Sequence, residues 1–308
     1  MKVAVVGAGA LGSVYGVRLA LRANIDVTFV VREARVGSTA PIAIEKVRGN
    51  VREELDAPIR AAEVPPDADV ILLTVGTEDL DALARPLASS EAPIVVLTPM
   101  LPRDWSAARA RYGERLHAAM PGVVAYARKS DGVVRYWLPP APTKIDEPRA
   151  GSASAEAIRE LASALSQAGL RGRLELGVHE TNPSTTVSFI AIGMALSIAG
   201  SVDTLIHDEA LLELTTRAGR EGVRLAHRIG TPEPWASLSP VLATQWALRL
   251  FFGALERFST EAIFYAEEHF GRKLRDQHRL MIHEMIELAI EKQLPHEALD
   301  ELARRLDA

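Results

Sequence analysis

The chain has 308 residues, of which 48% are hydrophobic, 24% charged and 5% aromatic; this profile is typical of an ordinary soluble globular protein and excludes a disordered or fibrous one. The 35 basic and 40 acidic residues give a formal net charge of −5 and are mixed along the chain, so we expect no nucleic-acid partner and no binding to an anionic membrane. The chain has no cysteine, which excludes disulfides, a thiol nucleophile and Cys-ligated metals.

Length and hydropathy predict two domains and no membrane span. A single hydrophobic core usually stops growing below this length, so the chain is expected to divide. The longest nearly apolar stretch, Val187–Gly200, has 14 residues, whereas a membrane helix needs about 20. The glycine-containing segment Lys2–Gly12 indicates a strand and a turn, not a signal peptide. We therefore expect a cytoplasmic protein.

Short β-rich runs alternate with helical patterns through the first half of the chain. The strands are nearly continuous apolar runs, typical of a parallel sheet that helices cover on both faces. The sequence therefore predicts an α/β fold with an amino-terminal Rossmann-type doubly wound parallel sheet. The predicted strands are Val3–Val6, Asp26–Val31, Asp69–Val75 and Pro93–Leu97, and the predicted helices are Ala10–Leu21 and Glu78–Leu87.

The pattern changes after Met120. Two further runs, Gly122–Tyr126 and Val133–Leu138, are typical of antiparallel strands, and Asp131–Gly132 is their predicted turn. Helical spacing of apolar residues predicts a helix over Ser152–Ala168.

From Asn182 onward the sequence is nearly all helical. Asn182 is expected to cap a helix that has Pro183 at its first position and runs to about Gly200. A later helix is predicted to stop at Gly230-Thr231-Pro232. These patterns predict a dinucleotide-binding domain over residues 1–172, a boundary within 172–182, and an all-helical substrate or dimerisation domain over 183–308.

The sequence Gly7-Ala8-Gly9-Ala10-Leu11-Gly12 lies between the first strand and the first helix. In a G-x-G-x-x-G turn the first glycine permits the tight turn, the second lets the backbone approach a pyrophosphate, and the third lets helix and strand pack closely. The helix N-terminus adds N–H donors and positive potential. Gly7, Gly9, Ala10, Leu11 and Gly12 are therefore candidate cofactor-binding residues.

The second strand ends in Val31-Arg32-Glu33. A fold selective for NAD usually has an acidic residue here for the ribose 2′-hydroxyl, whereas an arginine can bind the 2′-phosphate of NADP. Arg32 therefore favours NADP(H). The alternative is that Arg32 is a solvated surface residue, and that Glu33 repels a phosphate.

A nucleotide domain followed by a helical domain resembles the ketopantoate reductase (2-dehydropantoate 2-reductase) family. The matching segments are residues 3–12, Val31-Arg32, Leu72-Leu73-Thr74-Val75, Glu221–Gly230 and Ser259–Ile263. The resemblance implies hydride delivery from NADPH to a small 2-keto acid, with Val75 and Gly76 beside the cofactor and Glu261 as a catalytic residue. It also implies a lysine near the start of the first long helix of the second domain as the proton donor.

That lysine is missing, because no lysine occurs between Lys144 and Lys273. The corresponding helix offers Thr185 and Ser188, our candidate substrate residues. Thr98-Pro99-Met100 replaces the family's usual Gln-Asn-Gly segment. Replacement proton donors are His179, Glu180, Arg249 and Arg257.

Two functions remain open. One is a ketopantoate-reductase-like NADP-dependent oxidoreductase acting on a small carbonyl or imine. The other is a non-catalytic NADP(H)-binding protein that has lost the family chemistry. We predict no metal site, because His278 and His283 lie about 140° apart on a helix and share no face. One apolar helix face is expected to form core or homodimer packing and not to stack on a ligand; it consists of Trp246, Leu250, Phe251, Leu255 and Phe258.

Overall fold

A computed structural model describes residues 1–76, 81–128, 131–234, 236, 244–258 and 260–307. The chain divides into two compact units, Met1–His179 and Glu180–Ala308. The division lies inside the interval 172–182 in which the sequence places the boundary.

The first unit contains an eight-stranded sheet. Its strand order is β12-β11-β8-β7-β6-β1-β2-β5. Six neighbouring strands of the sheet are parallel to one another, namely β8, β7, β6, β1, β2 and β5. By contrast, β11 is antiparallel to β8 and pairs parallel with β12. The six parallel strands follow the Rossmann order, so the predicted fold class is confirmed. The strands are β1 (Lys2–Val6), β2 (Asp26–Val30), β5 (Ile59–Ala61), β6 (Val70–Leu73), β7 (Ile94–Val96), β8 (Leu116–Met120), β11 (Thr143–Asp146) and β12 (Gly172–Glu175).

Both faces of this sheet are buried. In β1, Val3 and Val5 belong to one hydrophobic cluster, while Ala4 and Val6 belong to another. Successive side chains of a strand point to opposite faces, so the two clusters lie on the two sides of the sheet. This double burial explains why the strands read as continuous apolar runs.

The described residues of the first unit form four helices before residue 178. They are α1 (Ala10–Ala23), α2 (Ala84–Leu87, preceded by a 3-10 turn, Asp81–Leu83), α3 (Pro102–Tyr112) and α4 (Ala155–Gln167). The predicted helix over 78–87 overlaps α2, and its residues 78–80 lie outside the described part of the chain.

A second sheet of four strands packs against α1. The predicted antiparallel pair is confirmed as β9 and β10, and β10 pairs parallel with the hairpin strand β3. The sequence analysis did not predict this hairpin. The strands are β3 (Ile42–Lys46), β4 (Val51–Leu55), β9 (Val124–Ala127) and β10 (Val134–Trp137).

A buried carboxylate joins the hairpin to α1. Glu53 on β4 accepts hydrogen bonds from Arg18 at 2.9 Å and Arg22 at 2.5 Å, and the Tyr136 hydroxyl donates to it at 3.3 Å. Arg18 also donates to the Ala168 carbonyl beyond the end of α4. Burial alone raises the pKa of Glu53, but the hydrogen bonds and charges of both arginines outweigh burial, and the pKa is lowered.

The second unit is helical. Its helices and the helix that leads into it are α5 (Val178–Val187), α6 (Ile190–Ala199), α7 (Val202–His207), α8 (Glu209–Ile229), α9 (Gln245–Phe258), α10 (Thr260–Phe264), α11 (Arg275–Glu291) and α12 (Glu297–Asp307), with a π-helical segment, Tyr265–Lys273, between α10 and α11. As predicted, α8 stops at Gly230.

The predicted start of α5 is wrong. Asn182 does not cap the helix and Pro183 is not its first residue, because both lie inside α5. The helix begins at Val178, five residues before Pro183, because Asp146 accepts hydrogen bonds from the N–H groups of Gly177 and Val178 at 3.0 and 3.2 Å. A turn at residues 188–189 then separates α5 from α6; one continuous helix was expected.

The helical stretch Val178–Ala199 is long and apolar enough to cross a membrane by length and composition alone. However, 72% of its most apolar window is buried inside the protein. In α6, Met194 and Ala195 are fully buried, and this helix packs against α8, α11 and α12. The stretch therefore has the character of a core helix.

Candidate dinucleotide site

The glycine-rich turn joins the carboxyl end of β1 to α1. Gly7 has φ +97°, and a Cβ there would lie 2.7 Å from Val75 Cγ1. The turn is fixed by backbone hydrogen bonds on both sides, from the Gly7 N–H to Val30 and from the Thr74 N–H to Val6. The strands β2 and β6 flank β1, so the turn lies where the strand order reverses. In sheets of this kind, ligands bind at that position.

The three glycines of the motif have different surroundings. A Cβ on Gly12 would lie 1.9 Å from the Gly7 carbonyl oxygen, so Gly12 lets α1 begin against the turn. Around Gly9, by contrast, no atom of the described residues other than its two chain neighbours comes within 4 Å of an added Cβ. No described side chain caps the N-terminus of α1, which begins after Gly9. The turn therefore presents a helix N-terminus to open space, as a pyrophosphate site requires.

A cavity of about 610 Å³ lies beside this turn. Of the predicted cofactor residues, Gly7, Gly9, Arg32 and Val75 line it. Ala10 is buried in the first turn of α1, and Leu11 is half-buried beside it. The half-buried Gly76 directly follows Val75 after the end of β6. The structure thus brings the glycine turn and Arg32 to one cavity.

Five charged side chains line the described part of the cavity. Arg32, Glu33 and Arg35 follow β2, Glu63 follows β5, and Arg85 lies in α2. Guanidinium groups bind phosphate through paired hydrogen bonds. The lining of the cavity thus includes a glycine turn, open at Gly9, and arginines, both of which are groups that bind phosphates. Glu63 and Arg85 were not singled out from the sequence, because they lie far from the glycine motif along the chain.

The predicted substrate residues in the second unit are buried and hydrogen-bonded. Thr185 is 2% exposed, and its hydroxyl accepts the N–H of Glu233 at 2.8 Å. Ser188 is 5% exposed, and its hydroxyl donates to the Ser184 carbonyl at 3.0 Å. Both hydroxyls therefore have partners within the unit, and a substrate contact by either residue stays a prediction. Glu261 lies in α10 and is half-buried.

One predicted proton donor is held by a carboxylate. The Nδ1 atom of His179 lies 2.6 Å from Asp146 Oδ2, and the imidazole stacks on Trp105 at 5.4 Å between ring centroids. The side chain of His179 is 36% exposed. Beside Trp105, burial raises the pKa of Asp104. Asp146 was not predicted, because it lies 33 residues from His179 along the chain.

Of the other predicted donors, Arg249 forms a 3.7 Å ion pair with Glu209. Glu180 and Arg257 lie in α5 and α9. The segment that replaces the family's Gln-Asn-Gly ends in Met100, which is buried in the core beneath the sheet. Among the described residues, no group of three His, Asp or Glu side chains is arranged to hold a metal ion.

Comparison with known proteins supports the family resemblance. Residues 3–99 match the family model of the ketopantoate reductase PanE/ApbA, so the resemblance is confirmed over that segment. No curated protein matches the sequence at a significant level.

Solved structures match over the whole chain. A 2-dehydropantoate 2-reductase from Geobacter metallireducens is 17% identical, with a TM-score of 0.73 and coverage of 100% of this chain and 99% of the relative. A D-mandelate dehydrogenase solved with NADH and anilino(oxo)acetate is 15% identical, with a TM-score of 0.72 and coverage of 100% and 97%. A dimeric ketopantoate reductase from Staphylococcus aureus is 13% identical, with a TM-score of 0.66 and coverage of 100% and 98%. At these identities the matches establish the fold.

Proposed function

We propose that the chain is an NADP(H)-dependent oxidoreductase of the ketopantoate reductase type, acting in the cytoplasm on a small carbonyl or imine substrate. The observation that carries this proposal is the cavity beside the glycine turn, open at Gly9 and lined by Arg32. This arrangement combines a helix N-terminus for the pyrophosphate with a guanidinium for the 2′-phosphate.

In this assignment the residues of the first unit hold the cofactor. The N–H groups at the start of α1, including those of Ala10 and Leu11, would bind the pyrophosphate, and Val75 and Gly76 would line the site beyond it. When bound, NADPH supplies the hydride. Arg32 would select NADPH over NADH, so Arg32→Ala is expected to weaken NADPH binding much more than NADH binding.

The substrate class is proposed from the relatives. The compounds in their names, 2-dehydropantoate and anilino(oxo)acetate, both carry a carbonyl next to a carboxylate. We therefore infer a 2-keto acid or a similar small molecule as substrate. Glu261 is assigned to the substrate site, and Glu261→Gln should lower turnover while leaving cofactor affinity intact.

Reduction of a carbonyl also needs a proton for the new alkoxide, and we assign that proton to His179. Asp146 orients the imidazole by accepting the Nδ1–H. In the protonated ring, the imidazolium, the proton on Nε2 would be the one transferred to the alkoxide, which returns the imidazole to its neutral form. Loss of a positioned proton donor typically costs 10²–10⁴-fold in rate. His179→Gln should therefore abolish most turnover. Asp146→Asn, which keeps an oxygen for the N–H groups at the start of α5, should lower turnover and change its pH profile.

A second candidate function is a non-catalytic NADP(H)-binding protein. The observation that favours it is the lack of any lysine in α5 or α6, together with the engaged hydroxyls of Thr185 and Ser188. The two candidates share the cofactor site and differ in turnover.

The deciding experiment measures binding first and turnover second. Calorimetric titration with NADPH and NADH is followed by NADPH oxidation, monitored by absorbance, with ketopantoate and a panel of small 2-keto acids and imines. NADPH binding with turnover supports the oxidoreductase, and the variants His179→Gln and Glu261→Gln then test the assigned proton donor and the assigned substrate-site residue. NADPH binding without turnover supports the binding protein. Failure to bind either cofactor refutes both.

A further inference from the structure

Arg85 lies at the cavity between two carboxylates. Its Nε atom is 3.3 Å from Glu63 Oε1, and its Nη1 atom is 3.9 Å from Glu33 Oε1. All three side chains line the cavity. The triad connects three separate segments of the first unit: the residues after β2, the residues after β5, and α2.

The triad contributes little to folding. The side chains of Arg85 and Glu33 are 80% and 79% exposed, and that of Glu63 is 47% exposed. Exposed ion pairs with such separations are screened by water and add little stability. The guanidinium of Arg85 can therefore turn toward a ligand at little cost.

The charged residues that line the cavity give a reason for a role of Arg85 in binding a phosphate. Among its described lining residues are three arginines and two glutamates, a formal balance of +1. Without Arg85 the described lining residues have two arginines and two glutamates, and the balance is zero. A phosphomonoester carries a charge of about −1.5 to −2 at neutral pH. Such a group would then meet one carboxylate for each guanidinium.

We propose that Arg85 is a second specificity-determining residue for the adenosine 2′-phosphate of NADP(H), neutralising Glu33 and Glu63 and offering its guanidinium to the phosphate. This inference rests on the proposed function, because it places the adenosine end of the cofactor in the cavity. It explains how a site with an acidic residue directly after Arg32 can still prefer the phosphorylated cofactor.

The test compares ligands that differ only by the 2′-phosphate. Dissociation constants of the full-length protein are measured calorimetrically for NADPH and NADH, and for adenosine 2′,5′-bisphosphate and adenosine 5′-monophosphate. Arg85→Met should raise the dissociation constants of the two 2′-phosphorylated ligands by about tenfold or more and those of the other two by less than about threefold. Arg85→Lys should retain part of the preference, because it keeps the charge but loses the paired donors.

Two matched variants control for the change in net charge. Arg159→Met removes an exposed arginine from α4, outside the cavity lining, and should leave all four constants unchanged. Glu63→Gln removes a carboxylate while leaving Arg85 beside Glu33, and should tighten binding of the 2′-phosphorylated ligands by a few-fold. Melting temperatures of all variants should stay near that of the wild type, since the substituted side chains are half-exposed or more.

The outcomes separate this inference from the proposed function. If the wild type binds neither NADPH nor NADH, the proposed function fails and this inference fails with it. If the wild type prefers NADPH, Arg32→Ala removes that preference and Arg85→Met leaves it unchanged, only the role of Arg85 is overturned.

Discussion

Gly12→Ala and Gly9→Ala add the same methyl group at two positions of one turn. From the structure we expect the first to lower stability and the second to weaken cofactor binding. At Gly12 the new Cβ would lie 1.9 Å from the Gly7 carbonyl oxygen and 2.6 Å from Thr74 Oγ1. An ordinary contact is about 3.5 Å or longer, so the backbone of the turn must move by about 1.5 Å. Overpacking costs about 1–3 kcal/mol and occasionally more, against a gain of about 1 kcal/mol in helix propensity.

Because the group that collides at Gly12 is backbone of the same turn, no side chain can rotate away to relieve it. We therefore place the cost at the upper end of the overpacking range and, after subtracting the propensity gain, expect Gly12→Ala to destabilise the protein by about 2 kcal/mol or more. This corresponds to a fall in melting temperature of about 4–8 °C or more. At Gly9 the added methyl meets none of the described atoms within 4 Å other than those of its two chain neighbours, and the residue has an ordinary φ of −81°. Its cost is at most about 1 kcal/mol, from replacing glycine as the helix cap.

Thermal unfolding followed by circular dichroism measures the first effect, and calorimetric titration with NADPH measures the second. Gly9→Ala should melt near the wild type yet bind NADPH at least about tenfold more weakly, because the methyl occupies the space proposed for the pyrophosphate. A Gly12→Ala variant that melts with the wild type would refute the packing argument. A Gly9→Ala variant that binds NADPH at wild-type affinity would refute the placement of the cofactor.

Substitutions at three further residues test buried polar groups. Glu53→Gln should lower the free energy of unfolding by about 1–3 kcal/mol at pH 7. Because the pKa of Glu53 is lowered, the stabilisation by its carboxylate is present above the ordinary pKa of glutamate and is lost as the pH falls through the lowered pKa. The urea unfolding curves of the variant and the wild type should therefore converge in acid. Glu221→Ala removes a carboxylate that accepts two N–H groups at the start of α12, at 3.0 and 2.9 Å, and should cost about 2–4 kcal/mol by the same assay, with Glu221→Gln intermediate. Burial lowers the pKa of His278 to about 4, so between pH 6.5 and pH 4 the unfolded chain binds a proton that the folded protein does not. The free energy of unfolding of the wild type should therefore fall by on the order of 3 kcal/mol over that range. The fall should be smaller for His278→Gln.

The Rossmann half of the fold could be predicted because its determinants are local. The strands β1 and β6 are buried on both faces and therefore read as apolar runs, and the glycine spacing marks the turn between β1 and α1. The strand β8 was missed because its sequence, Leu-His-Ala-Ala-Met, has little β-propensity. It becomes a strand through pairing with β7 and β11.

Other features depend on contacts between distant residues. The hairpin strand β4 carries Glu53, whose arginine partners lie 31 and 35 residues earlier on α1. The start of α5 is set by Asp146, 31 residues before Gly177, so a local capping argument chose Asn182 instead. At the cavity, Arg32 could be found from its place after β2. By contrast, only the folded chain shows Arg85 beside the residues after β2 and β5.

The segment that matches the family model, residues 3–99, ends inside the first unit. It includes the glycine turn, Arg32 and Arg85, so sequence similarity supports cofactor binding directly. The predicted substrate residues lie outside that segment, where the matches are structural and only 13–17% identical. A shared fold does not show that the catalytic side chains are also shared, because the same fold can support different functional residues. The two candidate functions, an oxidoreductase and a non-catalytic NADP(H)-binding protein, therefore predict the same result for cofactor binding. Only a measurement of turnover can distinguish them.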